Sequence, residues 1–139
     1  MTSKEVNQEI FDRVTRHLLT QRKRAEFLYN CCYRTEEGLK CAIGCLIPDD
    51  EYTPQMESLT VCAMLVRFPK ALGEALTVDK QPLQDRKLTL DLLSRLQRVH
   101  DRYSPSQWPT SLREVAKDLA LSSHQVSLME YRAQDTTSG

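Results

Sequence analysis

Basic residues do not outnumber acidic ones in this chain: 19 Lys and Arg stand against 19 Asp and Glu. A generic polyanion binder carries a large basic excess, so charge argues against that class. Long apolar runs are missing too; none approaches the roughly 20 residues that cross a bilayer. The opening segment, MTSKEVNQEIFDR, is charged and holds no apolar core of signal-peptide type. The expectation is a cytoplasmic protein without membrane contact, its five cysteines reduced. Paired Cys-x-x-Cys spacings, the usual mark of structural zinc, are absent. So are the local signatures of papain-like and caspase-like nucleophiles. There is no internal repeat and no low-complexity tract.

What is present is mostly helical periodicity. Val6, Ile10, Phe11, Val14, Leu18 and Leu19 recur at helical spacing after a capping Ser3, which predicts a helix over about 4–22. His17 lies beside that stripe and reads as a satisfied, partly buried histidine. Thr53-Pro54 reads as a second helix start. It is followed by Met56, Leu59, Val61, Cys62, Leu65, Val66 and Phe68 as buried positions, and Pro69 breaks or restarts that helix. Residues 70–76 suggest a short helical piece, and 77–87 a polar connector. Leu88, Leu92, Leu96, Val99 and Tyr103 form the clearest stripe, flanked by Leu93 and His100. Ser111 with Glu114 makes a capping box for a helix over about 111–121. Residues 1–133 form one domain, and 134–139 a polar, flexible tail.

The densest stretch is CCYRTEEGLKCAIGCLIPDDEY, residues 31–52, with four of the five cysteines and two of the four glycines. Thr35 to Gly38 read as the loop of a hairpin that sets Arg34 against Leu39, Tyr33 against Lys40 and Cys32 against Cys41. Beyond Cys41 the second arm is ambiguous between strand and helix, and Pro48 closes it. Three chemistries are open to the thiols. Cys32, Cys41 and Cys45, with His17 or His100, would make a metal set, but the spacing is poor. Cys41 beside Lys40 and Arg34 would make a nucleophile, but it lacks an identified base. Cysteines packed as small hydrophobes are the favoured reading, with Gly38 supplying a positive φ and Gly44 a close backbone approach. No metal and no cofactor are expected. The rigid turn would present Tyr33, Arg34, Lys40, Asp49, Asp50 and Tyr52 as a binding face, unless Arg34 and Asp49 merely pair with each other.

At this motif the chain resembles a set of small bacterial and phage-encoded proteins with no assigned activity. They share a Cys-x-Tyr-Arg turn, then Gly-Leu-Lys-Cys-Ala-Ile-Gly, then Leu-Ile-Pro-Asp and a tyrosine. The residues that carry the likeness are Cys32, Arg34, Gly38, Leu39, Lys40, Cys41, Ala42, Ile43, Gly44, Leu46, Ile47, Pro48, Asp49 and Tyr52. The later segment LQRVHDRY, with His100, Asp101 and then Trp108, is similar as well. The resemblance implies a mobile-element accessory protein, of a kind that often binds and inhibits a host protein.

Residues 112–132, LREVAKDLALSSHQVSLMEYR, resemble a helix-turn-helix. Ala120 stands where that pattern prefers glycine, Val126 and Met129 face the core, and Gln125 is a base-reading candidate. Its cations Arg113 and Lys117 are opposed by Glu114 and Asp118, so nucleic acid is a less favoured partner than protein. The expectations are therefore a mainly helical α+β fold, with one short cysteine-bearing hairpin packed against four to six helices. For function, stoichiometric binding to a host protein ranks first. A DNA-binding regulator and a small cysteine-dependent enzyme or ligand-sequestering protein centred on the hairpin are the alternatives.

Overall fold

The structure, a computed structural model, describes residues 2–28, 30–73, 76 and 81–137. Among these residues the fold is mainly helical α+β, with five α-helices and one two-stranded antiparallel sheet. Helix α1 runs Ser3–Gln21. Its N-cap is Thr2 rather than Ser3: Thr2 accepts from the Glu5 N–H, and the Glu5 carboxylate answers Thr2, a reciprocal box. Every apolar residue of the predicted stripe is buried, with Thr15 among them. This helix is the rod against which α3 (Leu83–Arg102), α4 (Trp108–Asp118) and α5 (His124–Thr137) all pack.

Two glutamines on α1 act as brackets for distant loops. Gln8 accepts from the Ser122 N–H at 2.9 Å and donates to the Ser122 carbonyl at 3.0 Å. Gln21 does the same for Lys40, at 2.9 Å in each direction. A side-chain amide offers a donor and an acceptor side by side, so it can stand in for a neighbouring strand. The α4–α5 turn and the cysteine turn are thereby fastened to opposite ends of one helix.

The two-stranded sheet lies earlier than the sequence suggests. It pairs β1 (Glu26–Phe27) with β2 (Asn30–Cys31), Glu26 opposite Cys31 and Phe27 opposite Asn30. The expected hairpin over 32–41 is reduced to one bridge, Arg34 opposite Lys40, with the Cys41 N–H donating to the Tyr33 carbonyl. Its register is therefore one residue off the expectation: Cys41 meets Tyr33 rather than Cys32. The reason is the turn. Thr35 takes the Leu39 N–H on its hydroxyl and gives its own N–H to the Leu39 carbonyl, closing one residue later than a four-residue loop would. Gly38 turns there at φ +89°, as expected. The arm beyond Cys41 resolves as a 3₁₀ turn at Gly44–Leu46.

Other boundaries moved for local reasons. Pro54–Met56 is only a 3₁₀ turn, because Ser58 adopts φ +70° and breaks the run. Helix α2 (Val61–Arg67) starts afresh, with Thr60 capping the Ala63 N–H. Cys62 and Val66 face solvent on α2, not the core. Within α3 the buried stripe is Thr89, Leu92, Leu93, Leu96, Val99 and His100, while Leu88 is 55% exposed. Helix α4 begins at Trp108, after a Pro105–Gln107 turn boxed by Ser104 and Gln107, so the expected Ser111 box does not form. The backbone of 134–137 continues α5, and 138–139 lie outside the described residues, as do 77–80 of the expected connector, whose last residues, 83–87, instead open α3.

Candidate functional site

The cysteine turn is held by close backbone contact. At Gly44 a β-carbon would lie 1.9 Å from the Tyr33 carbonyl oxygen, so only glycine fits. Tyr33 is 7% exposed, and its hydroxyl donates to the Leu59 carbonyl at 2.6 Å. It belongs to the core rather than to a binding face. Burial pushes its phenol upward, as expected for a group whose charged form would lose water.

Around Tyr33 the remaining face residues gather into one cluster. Arg34 pairs with Asp49 at 2.8 Å, donates to the Ile47 carbonyl, and lies 4.8 Å from the Tyr52 ring centre. Lys40 approaches the same Asp49 at 3.7 Å. The organiser is Glu57. One of its oxygens accepts the Tyr33 N–H at 3.0 Å. The other accepts the Arg34 N–H at 3.1 Å and the Tyr52 hydroxyl at 2.6 Å. Desolvation and that carboxylate push the Tyr52 phenol up to about 12. Arg34, Asp49 and Tyr52 thus brace the chain from 34 to 57 while Asp49 itself stays on the surface. The pairing of Arg34 with Asp49 is present through Nη1, Nη2 goes to the Ile47 carbonyl, and Nε is buried without a partner among the described residues.

A second polar chain runs behind β2. His100 is fully buried and stacks on Trp108, with ring centres 5.8 Å apart. Its Nε2 accepts the Ala25 N–H at 2.9 Å, so the ring proton sits on Nδ1 and is donated to Asp101 at 2.7 Å. Gln97 donates to the same carboxylate oxygen at 2.9 Å and accepts the Ile43 N–H at 3.2 Å. The Cys31 thiol lies within 4.8 Å of the Asp101 carboxylate. The two segments of the sequence motif, around Cys41 and around His100, therefore meet through this chain.

Among the described residues, Cys31, His100 and Asp101 form the one cluster with metal-like spacing, their ligand atoms within 4.8 Å of one another. The tautomer argues against that use. A metal on Nδ1 needs the lone pair that the proton occupies, and moving the proton to Nε2 would break the Ala25 hydrogen bond. The cysteines in the expected metal set are dispersed onto backbone partners. Cys45 donates to the Ala42 carbonyl, Cys41 accepts the Gly44 N–H, and Cys32 leans on the Asn30 carbonyl. His17 spends Nε2 on the Lys40 carbonyl at 2.8 Å, and burial lowers its pKa. As nucleophiles the thiols are poor. Burial pushes Cys31 and Cys45 to about 12 and raises fully buried Cys41 further, so thiolate is scarce near neutral pH.

Two clefts adjoin β2. One cleft, of about 680 Å³, is walled by Phe27, Cys31 and Cys32 and by the Thr35–Glu37 turn, with Arg34 and Glu57 also lining it. A smaller one, of about 240 Å³, runs from Cys31 past Glu57 to Gln97 and Asp101. At the mouth stands the β1–β2 turn, with Phe27 66% and Leu28 74% exposed. Leu28 adopts φ +52°, a left-handed backbone that disfavours a bulky residue by roughly 1–2 kcal/mol. Sequence reasoning placed Arg34, Lys40, Asp49 and Tyr52 together, and they are together. It missed Glu57 and the Phe27–Leu28 tip. Nothing local flags Glu57, whose role depends on Ser58 breaking the helix; two adjacent apolar residues before a paired Asn30 were the only hint of the tip. No protein-family model, curated protein or solved structure matches the chain.

Proposed function

We propose that this protein acts without turnover, as an accessory protein of the phage or mobile-element type that binds another protein, in the host, stoichiometrically. The binding face is the Phe27–Leu28 tip and the cleft beneath it. One observation supports this reading above the others: two large apolar side chains are held in solvent at a two-residue turn, one on a left-handed backbone. Asn-Gly satisfies such a turn without strain, so the fold has no use for leucine there. A protein partner does, because apolar anchors beside a preformed cleft are what interface hot spots are made of. The raised thiols weaken an enzymatic reading centred on the cysteines.

The test is affinity capture from host lysate with the native chain and a Phe27→Ser, Leu28→Asn variant in parallel. A protein recovered near one-to-one by the native chain, and lost with the variant, supports the reading. Equal recovery by both moves the binding face elsewhere.

A second reading has one specific support. Ala120 adopts φ +56° between α4 and α5, the conformation that the glycine of a helix-turn-helix supplies. Against it, Arg113 is occupied by Glu130 and Ser127, and Gln125 turns its Oε1 away from solvent. Among the described side chains of α5, those open to solvent are His124, Ser127, Tyr131 and Arg132. A sequence-specific gel shift at low salt, abolished by Arg132→Ala, would put this reading first.

A further inference from the structure

The docking reading leaves the partner's chemistry open, and the cleft's charges address it. Four carboxylates, Glu26, Glu36, Glu37 and Glu57, line the larger cleft with one guanidinium, Arg34. Their commitments differ. Arg34 is already matched by Asp49 at 2.8 Å. Glu26 is shared with Arg24 at 3.3 Å. Both oxygens of Glu57 are filled by the Tyr33 and Arg34 N–H groups and the Tyr52 hydroxyl. Glu36 and Glu37 are exposed on the turn, and among the described residues neither side chain holds a hydrogen bond or ion pair. The wall facing Phe27 thus carries two uncommitted negative charges, and the cleft's lining guanidinium, Arg34, is already neutralised.

Resting on the docking reading, we propose that the cleft takes a cationic segment of the partner protein, with a lysine or arginine directed at Glu36 and Glu37 and an adjacent apolar residue against Phe27 and Leu28. Both halves follow from complementarity. An unpaired carboxylate pair at an interface rim attracts a cation and repels an acidic segment. An exposed aromatic beside it contributes area that an all-polar segment would leave unmatched. A volume of about 680 Å³ lies within the usual range for a bound ligand or a few side chains. Nucleic acid is disfavoured at this site because its phosphates would face the free glutamates.

The probes are short labelled peptides of alternating lysine and leucine, glutamate and leucine, and lysine and serine, read by fluorescence anisotropy on the full chain. The lysine–leucine peptide should bind, the glutamate–leucine peptide should not, and the lysine–serine peptide should bind more weakly. Glu36→Gln with Glu37→Gln should weaken the lysine–leucine peptide about three- to tenfold and flatten its salt dependence. Neither glutamate bonds to the fold, so the melting temperature of that double variant should stay unchanged. Binding that ignores the double variant, or that favours the acidic peptide, overturns the inference. If the captured host protein depends on Phe27 and Leu28 but not on Glu36 and Glu37, the docking reading stands and the cationic segment does not.

Discussion

Two turns lie within a dozen residues of each other and are built on opposite terms. At Thr35–Leu39 the left-handed position goes to Gly38, and the thiols and carbonyls just beyond are sealed against α1. At Phe27–Asn30 the left-handed position goes to Leu28, and both apolar side chains point to solvent. The first turn uses the residue that bends without strain. The second puts a bulky residue on a strained backbone and leaves its side chain in solvent. The stretch richest in cysteine is therefore packed into the fold, and the exposed apolar pair lies in the plainer segment before it.

The comparison breaks most visibly in the core that anchors both turns. Leu96 is fully buried, so Leu96→Ala should destabilise by roughly 2–5 kcal/mol in urea titration. Leu88→Ala, on the exposed side of the same helix, should stay within about 0.5 kcal/mol. Equal losses would mean that the buried face of α3 is misassigned.

Next is the sealed turn. Gly44→Ala drives a methyl into the Tyr33 carbonyl and should cost roughly 1–3 kcal/mol as the backbone shifts to admit it. A neutral substitution would show that the turn is loose and the contrast between the two turns false.

Alkali should loosen the same region gradually. Thiols ionise near 9.0 in the unfolded chain, whereas Cys45 holds its proton to about 12 when folded. Between those values the native state binds more protons. The contribution of Cys45 to stability is thus fully present below about pH 9 and is lost as pH rises toward the folded value. Melting temperature followed through the alkaline range should fall, and Cys45→Ala should reduce the slope. A slope untouched by that substitution would mean that Cys45 is not the sealed thiol.

The smallest effect on stability belongs to the open turn. Leu28→Gly removes a left-handed leucine and an exposed side chain, so stability should change by less than about 1 kcal/mol, and upward if strain relief outweighs glycine's chain entropy. Partner capture should fall nonetheless. A variant that unfolds while binding normally per folded molecule would make the tip a structural element.

Periodicity alone carried α1: its whole apolar stripe is buried, because a helix displays every fourth residue on one face whatever surrounds it. Positions of Gly38 and Gly44 were legible for a similar reason, since few residues tolerate a positive φ or a missing β-carbon. The placement of Arg34 with Asp49 and Tyr52 was partly legible from their closeness in sequence. Local pattern could not place Glu57 under Tyr33 or Asp101 behind Cys31, nor could it choose Leu92 and Leu93 over Leu88 as the buried face of α3. Those outcomes rest on contacts between segments tens of residues apart. Their energies appear only once α1 has drawn the turns and α3 together, so tertiary packing decided them.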